Sequence, residues 1–260
     1  MCRLGMNVPD NKNIDFLMKT IKEAGFECVM VNYPKDDEPV YEILECAYKY
    51  SLSISSVHAP IADINSFWQE GYNGDKYLEF IKKRVAFCKE NGIDTLVAHT
   101  TYGNDIPNVS DIGFSRFSLL NEYAEQNGIH ICYENVNEVE VLKSVLVKAP
   151  QFHGFCWDIG HNMAYTPQVD FCTLFKNRLK YVHIHDNFGI TKPGNVGVDL
   201  HEMPFSCNID WQWYADTLKR LNYNGDLNFE CSYKLFLEGD STKFINKAYE
   251  RMNILKDMIK

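Results

Sequence analysis

Residues 130–158 run His130-Ile131-Cys132-Tyr133-Glu134, then a helical pattern over Val139–Val147, then Gly154-Phe155-Cys156-Trp157-Asp158. Each flank is a short β-prone run that ends on a carboxylate, and the middle segment has the apolar spacing of a helix that carries the chain back to its starting edge. Such a unit predicts two parallel strands in one sheet. The pattern extends in both directions, with further strand-like runs at Leu4–Val8, Cys28–Asn32, Ile54–His58, Thr95–His99, Tyr181–His185 and Leu227–Cys231. Helical patterns fill the gaps at Asp15–Ala24, Val40–Tyr50, Lys76–Asn91, Ser115–Gln126, Trp211–Leu221 and Thr242–Lys256. In Ala24-Gly25, Asn91-Gly92 and Asn127-Gly128 a glycine follows the last apolar turn, which closes a helix shortly before a strand. Eight strands alternating with helices predict an α/β fold, a (β/α)8 TIM barrel forming a single domain over 1–260, whereas a doubly wound sheet has about five to seven strands. No linker, repeat or low-complexity tract divides the chain, although Asn187–Cys207 is long and irregular.

Of the 260 residues 45% are hydrophobic and 23% charged, and no window nears the ~18 unbroken apolar residues of a membrane helix. A membrane-spanning helix is excluded. Thirty-five acidic against 26 basic residues give a net charge of -9, which disfavours a nucleic-acid partner. Basic runs are short, as in Lys82-Lys83-Arg84 on an expected helix, which reads as a solvated helix face. Nine cysteines are scattered with no CxxC pair and often lie in apolar runs, so they are expected to be free thiols in a reducing cytoplasm. Met1-Cys2-Arg3-Leu4-Gly5-Met6 has no basic and apolar leader pattern and is expected to run straight into the first strand.

In a barrel, chemistry gathers where strands end, so the last residue of each strand is informative. Strands three to eight end in His58, His99, Glu134, Asp158, His183 and Glu230. Three more candidates are expected in the loops: His161 three residues after Asp158, and Asp199 with His201 in the long segment after strand seven. Imidazole and carboxylate groups suit a divalent cation such as Zn, Mn, Co, Fe or Mg, so these nine residues are candidate ligands. His130 and His153 fall away from this rim and read as structural. His185 shares a strand face with His183 and reads as a supporting or substrate-contacting group. Trp68, Tyr72 and Tyr102, in loops three and four, could stack on a sugar face or cap the barrel; Trp68 and Tyr102 are the candidates for substrate binding.

Asp158-Ile159-Gly160-His161, Val182-His183-Ile184-His185-Asp186-Asn187, Asp199-Leu200-His201 and Ile209-Asp210-Trp211, with Val57-His58-Ala59-Pro60 and Tyr133-Glu134-Asn135-Val136, resemble the xylose isomerase-like superfamily of sugar phosphate isomerases and epimerases. The resemblance spans nearly the whole chain. It implies one metal ion held by Glu134, Asp158, His183 and Glu230. It also reaches endonuclease IV, whose three-zinc cluster implies further ligands at His58, His99, His161, Asp199 and His201. The segment from Asp199 to Ile209 lacks the glycines that both kinds of relative carry, and Gly admits backbone shapes that Phe205 and Cys207 do not favour. No Arg follows Asn187 where some ketose epimerases carry one, so their particular sugar does not transfer.

The leading expectation is a cytoplasmic, metal-dependent isomerase or epimerase of a small sugar or sugar phosphate. Glu134 and Glu230 would act as general base and acid around a metal-stabilised enediolate, with His161 bonding a substrate oxygen. The alternatives are an endonuclease IV-like phosphodiesterase acting on abasic-site DNA, against which the net charge speaks, and a non-catalytic sugar-binding barrel. The sugar, the metal, the number of ions and the oligomeric state are left open.

Overall fold

The computed structural model describes residues 2–8, 13–33, 40–189, 199–232 and 240–260. Eight parallel strands, β1 (Leu4–Val8), β2 (Cys28–Asn32), β3 (Ser53–His58), β4 (Thr95–Ala98), β5 (His130–Glu134), β6 (Gly154–Asp158), β7 (Leu179–Ile184) and β8 (Leu227–Phe229), pair in chain order, and β8 closes on β1. This is the expected (β/α)8 barrel. The helices are α1 (Ile14–Ala24), α2 (Tyr41–Lys49), α3 (Tyr72–Glu90), α4 (Asp111–Gln126), α5 (Val139–Lys148), α6 (Ile159–Tyr165), α7 (Phe171–Phe175), α8 (Trp211–Arg220) and α9 (Ser241–Ile259). None of the described helices is long and apolar enough to cross a membrane.

Strand periodicity places the site. Residues facing into the barrel form an apolar layer of Met30, Val97, Cys132, Cys156 and Tyr181, all buried. Two residues further along the same strands, hence on the same face, come Asn32, His99, Glu134, Asp158 and His183. The intervening residues, such as Val31, Ala98, Tyr133, Trp157 and Val182, face outward and pack under the helices. Below, Ser55 Oγ donates to Asn228 Oδ1 and Ser56 Oγ to the Tyr181 hydroxyl, each at 2.8 Å, so these four side chains inside the barrel are paired with one another.

Three expectations change. His161 is not in a loop: it lies on α6, whose first turn is capped by Asp158 Oδ1 accepting from His161 N at 2.6 Å. Trp68 ends a 3₁₀ turn at Ile64–Trp68 and is only 3% exposed, packed on Phe114 and Phe117 with its indole N–H on Thr100 O. It caps the outer core and does not line the barrel mouth. Lys82-Lys83-Arg84 is not wholly a solvated face, because the buried Arg84 guanidinium lies over Phe80 and Tyr33 at 3.6 and 4.2 Å. All nine cysteines are free.

Candidate metal centre

At the C-terminal mouth of the barrel the strand-end residues converge. Ligand atoms of Glu134, Asp158, His183 and Glu230 lie within 4.8 Å of one another. Two donors on opposite sides of one cation are at most about 4.6 Å apart at bond lengths of ~2.3 Å, so the four span the right distance with little movement. A second group, His58, His99 and Glu134, and a third, His161, His185, Asp199 and His201, meet the same 4.8 Å limit. All nine candidate ligands are therefore brought together.

Glu134 is fully buried at the centre. Its Oε2 lies 3.0 Å from both His58 Nε2 and His99 Nε2, and its Oε1 is 2.9 Å from His183 Nδ1 and 3.2 Å from His161 Nδ1. Burial works to raise this carboxyl, but the charge of His183 and the hydrogen bonds from His161, His183 and His58 hold it well below the usual carboxylate range. Glu230 is likewise held low, against burial, chiefly by His183, whose Nδ1 lies 3.2 Å from Oε2. His183 in turn is held well above the usual imidazole range by the anionic groups around it, despite burial.

Hydrogen bonds point three histidines at the centre. Nδ1–H donates to a backbone carbonyl in His58 (to Ala59, 2.8 Å), His161 (to Asn135, 3.1 Å) and His201 (to Glu230, 3.2 Å). A carbonyl only accepts, so in each ring Nδ1 carries a proton, and Nε2 is turned toward carboxylates. Those Nε2 contacts are Glu134 for His58 and Asp199 for His161 and His201, the last two at 3.1 and 3.0 Å. Asp199 is held far below its ordinary value by these rings despite burial. The same pairing holds His161 well above its usual range and raises His201 to about 9, in both cases against burial. His99 differs: burial outweighs the contact with Glu134 and lowers it. His183 Nδ1 lies 2.9 Å from Glu134 Oε1, 3.2 Å from Glu230 Oε2 and 3.8 Å from Asp158 Oδ2, so this nitrogen and the three carboxylates face a shared point. This oxygen and nitrogen donor set fits a divalent cation of the zinc, manganese, iron or cobalt type.

Above the carboxylates opens a cavity of about 570 Å³ lined by His58, His99, His161, Asp199, His201 and Glu230 together with Asn32, Tyr33, Tyr102, Asn137 and Tyr165. Glu134, Asp158 and His183 lie just beneath its floor. Tyr102, 48% exposed, is set on the wall by Asn65, which accepts from Tyr102 N and donates to its carbonyl. Trp68 and Tyr72 are absent from the lining, and His185 is buried behind it, so neither Trp68 nor His185 directly faces the space above the centre. His130 and His153 are away from the mouth, as expected, each bonded to the backbone. Asn32, Tyr33, Asn137 and Tyr165 were not singled out in the sequence. Asn32 could have been found as the inward residue two past Met30, and Tyr165 as the residue one helical turn after His161.

The family model for the xylose isomerase-like TIM barrel matches residues 18–251. An uncharacterized protein of Methanocaldococcus jannaschii, MJ1311, is 26% identical over 93% of this chain and 83% of its own. Among solved structures, an L-ribulose 3-epimerase superposes with a TM-score of 0.78 at 14% identity, covering 99% of this chain and 96% of that one. A D-tagatose 3-epimerase-like protein does so at 0.75 and 21% identity, covering 99% and 98%.

Proposed function

Because this chain belongs to the xylose isomerase-like TIM barrel family, we propose that it is a divalent-cation-dependent isomerase or epimerase of a small sugar or sugar phosphate. The observation that carries the reading is the convergence of Glu134, Asp158, His183 and Glu230 under a cavity of sugar-binding size. Neighbours in structure space that are named as sugar epimerases support it. A cation bound by these four would polarise a substrate carbonyl and acidify the adjacent C–H. Glu230, on the cavity wall, takes or returns the proton at that carbon, and Glu134 beneath the floor is its partner carboxylate. His161 and His201 present Nε2 to substrate oxygens or to a further cation, and Tyr102 offers a ring for a sugar face. The free cysteines agree with a cytoplasmic setting. The test loads the purified protein with Mn2+, Co2+, Zn2+ or Mg2+ and screens ketoses, aldoses and their phosphates in deuterium oxide for exchange at the α-carbon. Exchange that requires the cation supports the reading, and none with any substrate and cation refutes it.

One observation favours a second reading, a phosphodiesterase acting on abasic-site DNA. The two further groups flank the first, so three cations could sit side by side. The net charge of -9 opposes it, since such an enzyme must neutralise several phosphates. Robust cleavage of abasic-site duplex at low salt by nanomolar enzyme, lost in His99→Ala or His201→Ala, would favour this alternative.

A further inference from the structure

The cavity above the carboxylates has a counterpart at the other end of the barrel. A second cleft of about 350 Å³ is lined by Asp94, His130, Lys176, Lys180 and the loop at 222–225. Sites for small molecules run from about 300 to 1,000 Å³, so the cleft is large enough for one. These residues stand at the starts of β4, β5 and β7 and in the connection from α8 to β8, on the face opposite the cation centre. Lys180 is placed there by a bulge: Phe155 pairs with Leu179 and Cys156 with Tyr181, which leaves Lys180 as an extra residue of β7. Its stem crosses Gly154, where a Cβ would stand 2.5–2.8 Å from Cβ, Cγ and Cδ of the lysine, so the missing side chain makes the room. Lys176 and Lys180 are both exposed, and among the described residues neither has an ion pair or hydrogen bond.

The charge around the cleft is positive although the chain carries -9. Arg178 is buried and donates only to the carbonyls of Ala149 and Pro150, so no acid cancels it. The buried His153 senses the surplus: burial lowers it to about 4, and the charges of His130, Arg178 and Lys180 act in the same direction. Asp94 opposes them, its Oδ1 accepting from Thr95 Oγ1 at 2.9 Å, while Asp226 beside the loop is paired with Arg3 at 2.6 Å. Tyr223 fixes the loop, with its N–H on Leu218 O at 3.0 Å and its hydroxyl on Asp226 O at 2.9 Å. The N–H groups of Asn224 and Gly225 donate to no acceptor among the described residues, so this edge offers donors as well.

We propose that this cleft binds a small phosphate-bearing anion, held between Lys176 and Lys180 with the loop at 222–225 bonding its remaining oxygens. A doubly charged phosphate uses both ammonium groups, which a single carboxylate does not. Free phosphate and the phosphomonoester of a small polyol share this chemistry. The site is independent of the cation centre and of the reaction proposed for it.

The experiment titrates the 15N-labelled full-length protein with inorganic phosphate and, separately, with glycerol phosphate, and reads dissociation constants from backbone amide shifts. The same titrations are made in Lys176→Gln, Lys180→Gln, the double lysine variant and Asp94→Asn, with thermal melting as the report on folding. Shifts are expected at Asp94, His130, Lys180 and residues 222–225, with dissociation constants in the millimolar range that rise with added salt. Each lysine variant should bind ~3–5-fold more weakly and the double variant ~10-fold or more. Asp94→Asn should bind ~2–5-fold more tightly, because it removes a like charge from the cleft. That opposite sign separates charge from damage to the fold, which weakens binding, so Asp94→Asn decides the matter even if a lysine variant melts early. Tighter binding of the ester supports the site with a phosphomonoester as occupant, and tighter binding of inorganic phosphate supports it with the free ion. Absence of saturable shifts, shifts confined to the mouth around Glu134 and His161, parental affinity in the double lysine variant, or weaker binding in Asp94→Asn overturns the proposal.

Discussion

Gly160→Ala tests the packing beneath the centre. A Cβ built at residue 160 would lie 2.5 Å from His185 Nε2 and closer still to Cε1 and Nδ1 of that ring. Ordinary contact begins near ~3.5 Å, so the ring or the first turn of α6 must retreat by about 1 Å or more. His185 Nε2 is only 3.0 Å from Asp158 Oδ1, and a retreat of that size takes the pair out of hydrogen-bond range. Losing a hydrogen bond to a charged group costs about 1.5–3 kcal/mol, and the shift also disturbs the stack on His201. Against this, alanine in place of glycine in a helix gains up to about 1 kcal/mol. The expected net loss is therefore about 1–3 kcal/mol, read as a lower urea midpoint at unchanged slope. Cation affinity should fall with it, because the group displaced is the one bonded to Asp158. A variant within about 0.5 kcal/mol of the parent with unaltered Co2+ affinity would refute the close approach of His185 to residue 160, and with it the reason for a glycine there.

Glu134→Gln and Glu230→Gln should each nearly abolish turnover and solvent deuterium uptake at the reacting carbon, since an amide fills the space but accepts no proton; near-normal activity of reconstituted Glu230→Gln would remove it from the acid/base pair. Chelation should lower the melting temperature, and re-addition of cation at ~100 times its dissociation constant should restore about 2.7 kcal/mol, measured by differential scanning calorimetry. Cation affinity, measured by isothermal titration in buffers of different ionisation heat, should rise from pH 6 to 9 with proton release, because His161 and His183 are held well above their usual range and His201 at about 9. His153 shows the opposite sign: burial lowers it to about 4, so its contribution to stability is present above the unfolded value of ~6.5 and is lost as pH falls toward 4. Urea midpoints from pH 7 to 4 should therefore fall less steeply in His153→Gln than in the parent.

The strand ends were readable because barrel geometry leaves little choice. Once a strand's inward face is known, the residue two past the apolar layer must face the mouth, and this rule alone places Glu134 after Cys132 and Asp158 after Cys156. Applied to β2 it also reaches Asn32 after Met30, which chemistry-led reading passed over because amides are weaker cation ligands than carboxylates. Trp68 misled for a converse reason. An aromatic in a βα loop reads as a sugar platform, but Gly113 has no side chain to keep the indole off α4, and a Cβ there would be 2.8 Å from Trp68 Cζ3. The partner that decides the outcome lies 45 residues downstream and leaves no local trace at Trp68.

The segment after β7 shows where local reading stops. Its missing glycines suggested a loop unlike that of the relatives, yet Phe205 itself takes φ 65°, in the region glycine favours. What holds it there is distant. Buried Asp186 accepts from the backbone N–H groups of Asn187, Ser206, Cys207 and Ile209 and from the Trp211 indole. Arg251 on α9 donates to Pro204 O and Phe205 O, and the Phe205 ring lies 5.3 Å from Trp211. One carboxylate collecting five donors can offset the ~1–2 kcal/mol of a left-handed phenylalanine, since each charge-assisted bond is worth about as much. A glycine at 205 would lower the strain; with phenylalanine there, Asp186 supplies the interactions that oppose it. The carboxylate directly after His185 was visible in the sequence as part of a motif. Its role as an organiser of the turn required the folded chain, because all but one of its five donors lie at least twenty residues away.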